Sequence, residues 1–261
     1  MIRKSIDNAV ILQKKQMQEI DLSNKSVADI VKSDYRTAAI FKQYGINYCC
    51  GGQLSLLEAC MVKGIDYKNL EEKLSNATRN IYINNALQFT NWKIDFLIDY
   101  IINVHHAYLD ETIPALKSAM FSFIEGHKKK FPELEKLFMS FTELSNILLL
   151  QNKHEEEVIF PYIKQLESTH RRKEVYGNLF VRTLRKPLSS LEKENNIIRK
   201  LLAEMEACAN DFQFPSNACT SHQVIYHRLK EFHDDLVQHK HLEKNILYPR
   251  AVDLEKELLQ L

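Results

Sequence analysis

The strongest constraint on the fold is a set of four long amphipathic helical patterns after residue 92. Apolar side chains recur every three or four positions over residues 93–124, 132–167, 188–210 and 217–258. Strand-like alternation is nearly absent, and 6 glycines and 6 prolines are few for 261 residues. Helices of this kind bury their apolar faces against one another. The sequence therefore predicts an all-α fold whose larger part is an antiparallel four-helix bundle.

The chain divides by pattern into three parts. Residues 1–22 form a polar helical lead-in, and residues 23–80 form a small unit of three or four short helices, with stops at Gly45 and Gly64. Residues 81–261 contain the bundle. Proline cannot donate the helical hydrogen bond, so each proline inside a bundle pattern predicts a local disturbance. These prolines are Pro114, Pro161 and Pro249.

Charge and composition argue against several partners. Lys plus Arg (35) nearly balance Asp plus Glu (34), so nothing in the charge favours nucleic acid or an anionic membrane. No apolar run reaches the length of a membrane span and no signal peptide is evident, so we expect a cytoplasmic protein. The five cysteines are odd in number and irregularly spaced, which fits a reducing compartment better than a disulfide framework.

His239 and Glu243 have the spacing of metal ligands on one helical face. They stand four residues apart, so both side chains project from the same side, and Asp235 extends that side by one turn. Imidazole and carboxylate together suit iron, manganese or zinc in a bundle core. Taken alone, the same spacing is also typical of a solvated charged face.

The second helical pattern repeats this arrangement. Glu155 stands six residues before Pro161, and Glu243 stands six residues before Pro249, with an aliphatic pair and an aromatic residue between in both cases. Two helices with this pattern would each direct a carboxylate into the bundle. The repetition favours a metal site over a solvated face.

Several segments together resemble one known family. They are AAIFKQYGINYCCGGQLSLLEAC near the N-terminus and NVHHAYLDETIPAL, EEEVIFP and HLEKNILYPR in the bundle. They are similar to the RIC family of di-iron proteins, which repair iron–sulfur clusters after oxidative or nitrosative damage and join a double-cysteine domain to a hemerythrin-like bundle. The resemblance covers nearly everything after residue 22. It implies non-haem iron as cofactor, iron–sulfur proteins as clients, a homodimer, and iron handling rather than enzymatic turnover.

The resemblance also implies a ligand set of four histidines and two bridging glutamates. His106 matches the ligand of the first bundle helix, and its neighbour His105 stands where the family commonly has an aromatic residue. Glu155 and Glu243 match the two bridging carboxylates, and His239 matches the imidazole of the fourth helix.

Two positions depart from that ligand set. Gln151 and Asn195 stand where the second and third helices should each supply a histidine, and an amide is a poor iron ligand compared with imidazole. His154 and Glu194 are the nearby residues that could compensate. The plainer interpretation is a solvated His154 and a Glu194 that lies outside the ligand shell. The sequence therefore predicts a reduced metal site.

Cys49 and Cys50 are adjacent and are followed by two glycines, which allow a tight bend that would expose both thiols. In one interpretation they are redox or iron-transfer residues. In the other, Cys50 is a small buried apolar residue and the glycines form a turn.

Three functions remain open from these residues. The first is iron handling for cluster repair, with one ion or a labile pair held by the retained ligands. The second is a metal-free bundle that serves as a scaffold and acts through partner binding by the double-cysteine unit. The third is an enzyme that acts on O2, nitric oxide or peroxide at a non-haem metal. A lysine or arginine among the glutamates would indicate that the metal has been lost.

Overall fold

The structure is a computed structural model that describes most of the chain. The residues described are 22–49, 52–78, 87–173, 181 and 191–260, with side chains from residue 195 onward in the last range. The predicted lead-in, except Leu22, lies outside them, as do Cys50 and the side chain of Glu194.

Over the described residues every regular element is helical, apart from one isolated β-bridge between Ser26 and Ser55. This confirms the all-α prediction. The chain forms two compact units, residues 1–81 and residues 82–261. In the part of the chain that the structure describes, no helix is long and apolar enough to cross a membrane.

In the described residues of the N-terminal unit, 22–49 and 52–78, there are four short helices. They are α1 (Val27–Ser33), α2 (Thr37–Gln43), α3 (Leu56–Lys63) and α4 (Tyr67–Thr78). Ser26 caps α1 by accepting a hydrogen bond from a backbone N–H of the first turn, and Ser55 and Glu58 form a reciprocal capping box at the start of α3. Gly45 and Gly64 lie just beyond helix ends at φ of 63° and 64°, a left-handed conformation that favours glycine.

Over its described residues, the second unit has four long helices and a short 3-10 helix at Phe89–Asn91. Helix α5 comprises Ile94–Tyr100, the π turn Ile101–His106 and Ala107–His127, and α6 comprises Glu133–His154, the π turn Glu155–Ile159 and Phe160–Arg172. Helix α7 is Leu191–Cys208, and α8 comprises Thr220–His241, the π turn Leu242–Leu247 and Tyr248–Gln260. The short connection between α5 and α6 makes these two helices antiparallel. Helix α6 packs on both α5 and α7, and α8 packs on α5.

The prolines act differently from the prediction. Pro114 lies inside Ala107–His127, which continues through it without interruption, so the disturbance predicted there is absent. At Pro161 and Pro249 the helices also continue, and the irregularity is a π turn directly upstream. In these turns the Phe160 N–H donates to the carbonyl of Glu155 and the Tyr248 N–H to that of Glu243, five residues back. The predicted kink and interruption are therefore corrected to two matched π turns.

The core of the bundle is divided by a polar layer. Two apolar clusters fill it, and α5, α6 and α8 contribute to both. The cluster residues that flank the layer on these three helices are Ile101 and Leu109, Leu148 and Ile159, and Leu236 and Leu242. Each helix has a π turn at or beside this layer, and π turns are frequent at functional sites.

Candidate metal centre

The polar layer brings together the four ligand positions predicted from the sequence. His106 from α5, Glu155 from α6, and His239 and Glu243 from α8 are each no more than 1% exposed. One ligand atom from each residue lies within 4.8 Å of the others. Three helices thus direct two imidazoles and two carboxylates at one point in the core.

The two imidazoles and one oxygen of each carboxylate face one another. His106 Nε2 lies 3.2 Å from His239 Nε2, and His239 Nε2 lies 2.7 Å from Glu243 Oε1. From His106 Nε2 the distances to Glu155 Oε2 and Glu243 Oε1 are 3.6 and 3.9 Å. We call this group of four atoms the imidazole face of the carboxylate pair.

The inner oxygens of the two buried carboxylates have imidazole nitrogens as their polar neighbours. Glu243 Oε1 lies 2.7 Å from His239 Nε2 and 3.9 Å from His106 Nε2, and Glu155 Oε2 lies 3.6 Å from His106 Nε2. His239 Nδ1 makes no hydrogen bond with any residue that the structure describes, and a buried polar atom left in this state costs about 1–3 kcal/mol. Two carboxylate oxygens beside two imidazole nitrogens form a donor set that a cation would satisfy.

The remaining oxygens of the two carboxylates face a lysine. The Lys240 ammonium lies 2.7 Å from Glu243 Oε2 and 3.7 Å from Glu155 Oε1, and its side chain is 16% exposed. We call this side of the carboxylate pair the ammonium face. The sequence analysis did not place Lys240 in the site. Its spacing of three residues before Glu243 was the only available signal.

The predicted degenerate positions also lie at the ammonium face. The Gln151 amide nitrogen donates to Glu155 Oε1 at 2.7 Å and to Asn195 Oδ1 at 3.3 Å. The Tyr248 hydroxyl donates to the same Glu155 oxygen at 2.7 Å. Tyr248 therefore contributes a hydrogen bond to the site, a role that the sequence analysis did not assign to it.

A second set of carboxylates contacts the histidine rings. His106 Nδ1 lies 2.6 Å from Glu156 Oε1, and His105 Nδ1 lies 2.9 Å from Asp235 Oδ1. The His105 ring stacks on that of His239 at 5.4 Å between centroids. Contacts of this kind orient an imidazole that binds metal through its other nitrogen.

Comparison with known proteins agrees with the fold and the donor set. Residues 97–251 match the hemerythrin HHE cation binding domain, which covers more than half of the chain. The chain belongs to the hemerythrin HHE family. Residues 23–78 match a second domain, ScdA_N, described as a domain of unknown function (DUF542).

Curated relatives of this hemerythrin-family chain match over nearly their whole length. A probable iron-sulfur cluster repair protein of Haemophilus influenzae is 27% identical over 90% of this chain and 99% of its own. The iron-sulfur cluster repair protein YtfE of Escherichia coli O157:H7 is 28% identical over 88% and 97%. The iron-sulfur cluster repair protein ScdA of Staphylococcus epidermidis is 29% identical over 86% and 96%.

The pKa values in the hemerythrin-type site are set by burial and by neighbouring groups of opposite charge. Burial lowers the pKa of His106, but hydrogen bonds to Glu155, Glu243 and another carboxylate outweigh it and raise this pKa to about 9. Burial dominates at His239 and lowers its pKa to about 4. For Glu243, burial is outweighed by His239 and Lys240, which hold its pKa well below the usual range. The ammonium of Lys240 is held in turn by Glu243 and Glu155, which raise its pKa against the effect of burial.

The remaining predicted residues lie elsewhere. His154 is exposed and is not among the buried residues of the site. Cys49 lies in the N-terminal unit with a partly exposed side chain, and its backbone N–H donates to Asn47 Oδ1 at 2.9 Å.

The imidazole face fits a metal ion of the kind that the hemerythrin family binds. It offers two nitrogens and two carboxylate oxygens, a mixture that suits non-haem iron. The amides of Gln151 and Asn195 supply no comparable nitrogen, because an amide nitrogen is a donor with no lone pair for a metal.

Proposed function

We propose that the protein binds non-haem iron in the bundle and supports the repair of damaged iron–sulfur clusters by holding and releasing that iron. The observation that carries this proposal is the buried convergence of His106, Glu155, His239 and Glu243, which directs one potential ligand atom from each residue to within 4.8 Å of the others. The printed names of the relatives support cluster repair as the process served. Iron, when bound, is the material that a damaged cluster has lost.

The residues of the site prepare His106 for this role. Its Nδ1–H donates to Glu156, so Nε2 is the nitrogen left for a metal. Hydrogen bonds to the surrounding carboxylates raise the pKa of His106 to about 9, so this nitrogen would have to lose its proton to serve as a ligand, and the affinity for metal should fall as the pH falls. His106, Glu155, His239 and Glu243 would hold the iron, which would supply the ion needed to rebuild a cluster.

The N-terminal unit is the proposed contact with clients. The partly exposed Cys49 and its neighbour Cys50 are candidates for receiving iron or for meeting the damaged cluster. We further propose that the protein acts as a homodimer in the cytoplasm and without enzymatic turnover of its own.

An anaerobic titration with ferrous iron followed by metal analysis tests the first step. We expect bound iron at micromolar protein, and transfer of that iron to a dehydratase whose exposed [4Fe–4S] cluster has been damaged by peroxide, read as recovered dehydratase activity. The variant Glu243→Ala should neither bind iron nor restore activity. The matched control is His241→Ala, because His241 is exposed on the same helix. Equal recovery with and without iron on the protein would contradict the proposal.

A metal-free scaffold is the second candidate, and Lys240 favours it. A lysine among the carboxylates is the feature that the sequence analysis associated with metal loss, and Lys240 lies 2.7 Å from Glu243. Against it, Lys240 contacts the outer oxygens of the two carboxylates, and the inner oxygens face the two imidazoles with no lysine or arginine contact among the described residues. An unchanged melting temperature on addition of ferrous iron, together with no retained iron, would establish the scaffold instead.

A further inference from the structure

We propose that Lys240 is a built-in cation that takes the place of a second metal ion, so that each chain binds a single ion. This inference deepens the proposed function and rests on it in one respect, that the imidazole face binds metal. It assigns different roles to the two faces of the Glu155 and Glu243 carboxylates.

Each carboxylate directs one oxygen to the imidazole face and the other to the ammonium face. Glu243 directs Oε1 to the imidazole face, 2.7 Å from His239 Nε2, and Oε2 to the ammonium face, 2.7 Å from Lys240 Nζ. Glu155 directs Oε2 towards His106 and Oε1 towards Lys240. A carboxylate divided in this way would bridge two cations, and here one of the two positions already contains the ammonium.

The ammonium face is closed by hydrogen-bond donors as well as by charge. Glu155 Oε1 accepts from the Gln151 amide and from the Tyr248 hydroxyl, both at 2.7 Å. Gln151 also donates to Asn195 at 3.3 Å, so the two amides are joined to each other. A metal ion on this side would have to break these bonds and would find no imidazole in return.

Electrostatic repulsion also argues against a second metal ion at the ammonium face. The ammonium of Lys240 and one divalent ion together carry three positive charges, against two negative charges on the buried carboxylates. A second divalent ion would add uncompensated positive charge beside the Lys240 ammonium, in a core where like charges repel strongly because the dielectric constant is low. Binding two ions therefore requires that Lys240 be removed.

Lys240 does not replace the metal on the imidazole face. Its ammonium contacts are with Glu243 Oε2 and Glu155 Oε1, whereas the oxygens that face the imidazoles are Glu243 Oε1 and Glu155 Oε2. The imidazole face thus keeps its nitrogen and oxygen ligands available for one ion, and the lysine reduces the nuclearity of the site without abolishing it.

The test counts metal ions in a set of variants. The protein is loaded anaerobically with ferrous iron, desalted, and assayed for iron per chain. We expect one ion in the wild type and still one in Gln151→His/Asn195→His, which restores imidazoles but keeps the lysine. Adding Lys240→Met should raise the count to two. The matched control adds Lys244→Met instead, because Lys244 is an exposed lysine on the same helix, and should leave the count at one.

Two results would overturn the inference: two ions in Gln151→His/Asn195→His with Lys240 present, or one ion in the triple variant with Lys240→Met. Electron paramagnetic resonance of the oxidised wild type gives a decision even if a variant fails to fold. A single ferric ion gives an isolated high-spin signal, whereas a bridged pair couples and loses it, and a coupled pair would refute the inference. A wild type that binds no iron overturns both proposals. One ion without cluster repair overturns the proposed function alone.

Discussion

Helix α8 carries two fully buried histidines, one surrounded by charged and polar groups and the other by aromatic rings. His239, near the end of its first segment, lies among carboxylates, a lysine and a second imidazole. His222, near its start, lies among Phe123, Phe131 and Tyr226, and neither ring nitrogen has a hydrogen-bond partner among the described residues. Burial lowers both pKa values to about 4. A buried histidine with a depressed pKa is therefore no sign of a metal site; convergent ligands from other helices are.

The largest effect should come from removing one ligand of the imidazole face. We expect His239→Ala to weaken ferrous iron binding by more than about 100-fold, since the loss of an orienting partner alone costs roughly 10–100-fold. His222→Ala should leave iron affinity unchanged. Anaerobic titration of both variants measures the contrast, and comparable losses of iron in the two would contradict it.

A smaller effect is expected when the partner of a ligand is removed. Glu156→Ala takes away the acceptor 2.6 Å from His106 Nδ1 and should weaken iron binding by roughly 10–100-fold. The matched control is Glu157→Ala, because the Glu157 side chain is exposed and pairs only loosely with Lys153 at 3.8 Å. The same titration applies, and an equal response of both variants would show that Glu156 has no orienting role.

Lowering the pH should destabilise the wild type more than the variant His222→Phe. Burial, with a smaller contribution from His127, lowers the folded-state pKa of His222 from 6.5 to about 4. Between those values the unfolded chain binds more protons than the folded one, so stability falls as the pH falls, by up to about 1.4 kcal/mol per pH unit. Urea unfolding at pH 7.5 and pH 5 should show the wild type losing about 2 kcal/mol more than His222→Phe. A constant difference between the two proteins would refute this assignment.

At neutral pH the same substitution should have the smallest effect. His222→Phe removes two buried nitrogens without partners from an aromatic environment, and we expect a gain of about 1 kcal/mol in the free energy of unfolding. Urea unfolding at pH 7.5 measures it, with iron content as the control that should not change. A loss of stability would mean that the aromatic cluster has no room for the larger ring.

Part of the candidate site was predictable from regular helical spacing. His239 and Glu243 are four residues apart on one face, and the repeated interval between Glu155 and Pro161 pointed to the partner helix. His106 and Gln151 were assigned from the family resemblance, and the structure places the Gln151 amide 2.7 Å from Glu155 Oε1. Positions that follow the period of an α-helix were accessible from the sequence alone, whereas the position on the first bundle helix required the resemblance.

Lys240 and Tyr248 were not accessible in the same way. Lys240 follows a ligand directly, so its Cα lies about 100° around the helix from that of His239, and only its long flexible side chain returns the ammonium to the carboxylates. Tyr248 stands five residues after Glu243, about 140° away in a regular helix, and the π turn between them changes that phase. Side-chain reach and local helix irregularity decide these contacts, and neither follows from periodicity.

The three π turns of α5, α6 and α8 lie between the two apolar clusters of the bundle and fix the rotation of each helix from one cluster to the other. Each is equivalent to one inserted residue, and all three lie at or beside the same polar layer. Deleting one residue from a single π turn would rotate the rest of that helix by about 100° relative to its neighbours. In α8 this would turn Leu247, Ala251 and Leu258 out of their apolar cluster. The π turns therefore set the rotational phase of each helix between the two apolar clusters, and a one-residue deletion in any of them should disrupt the packing of one cluster.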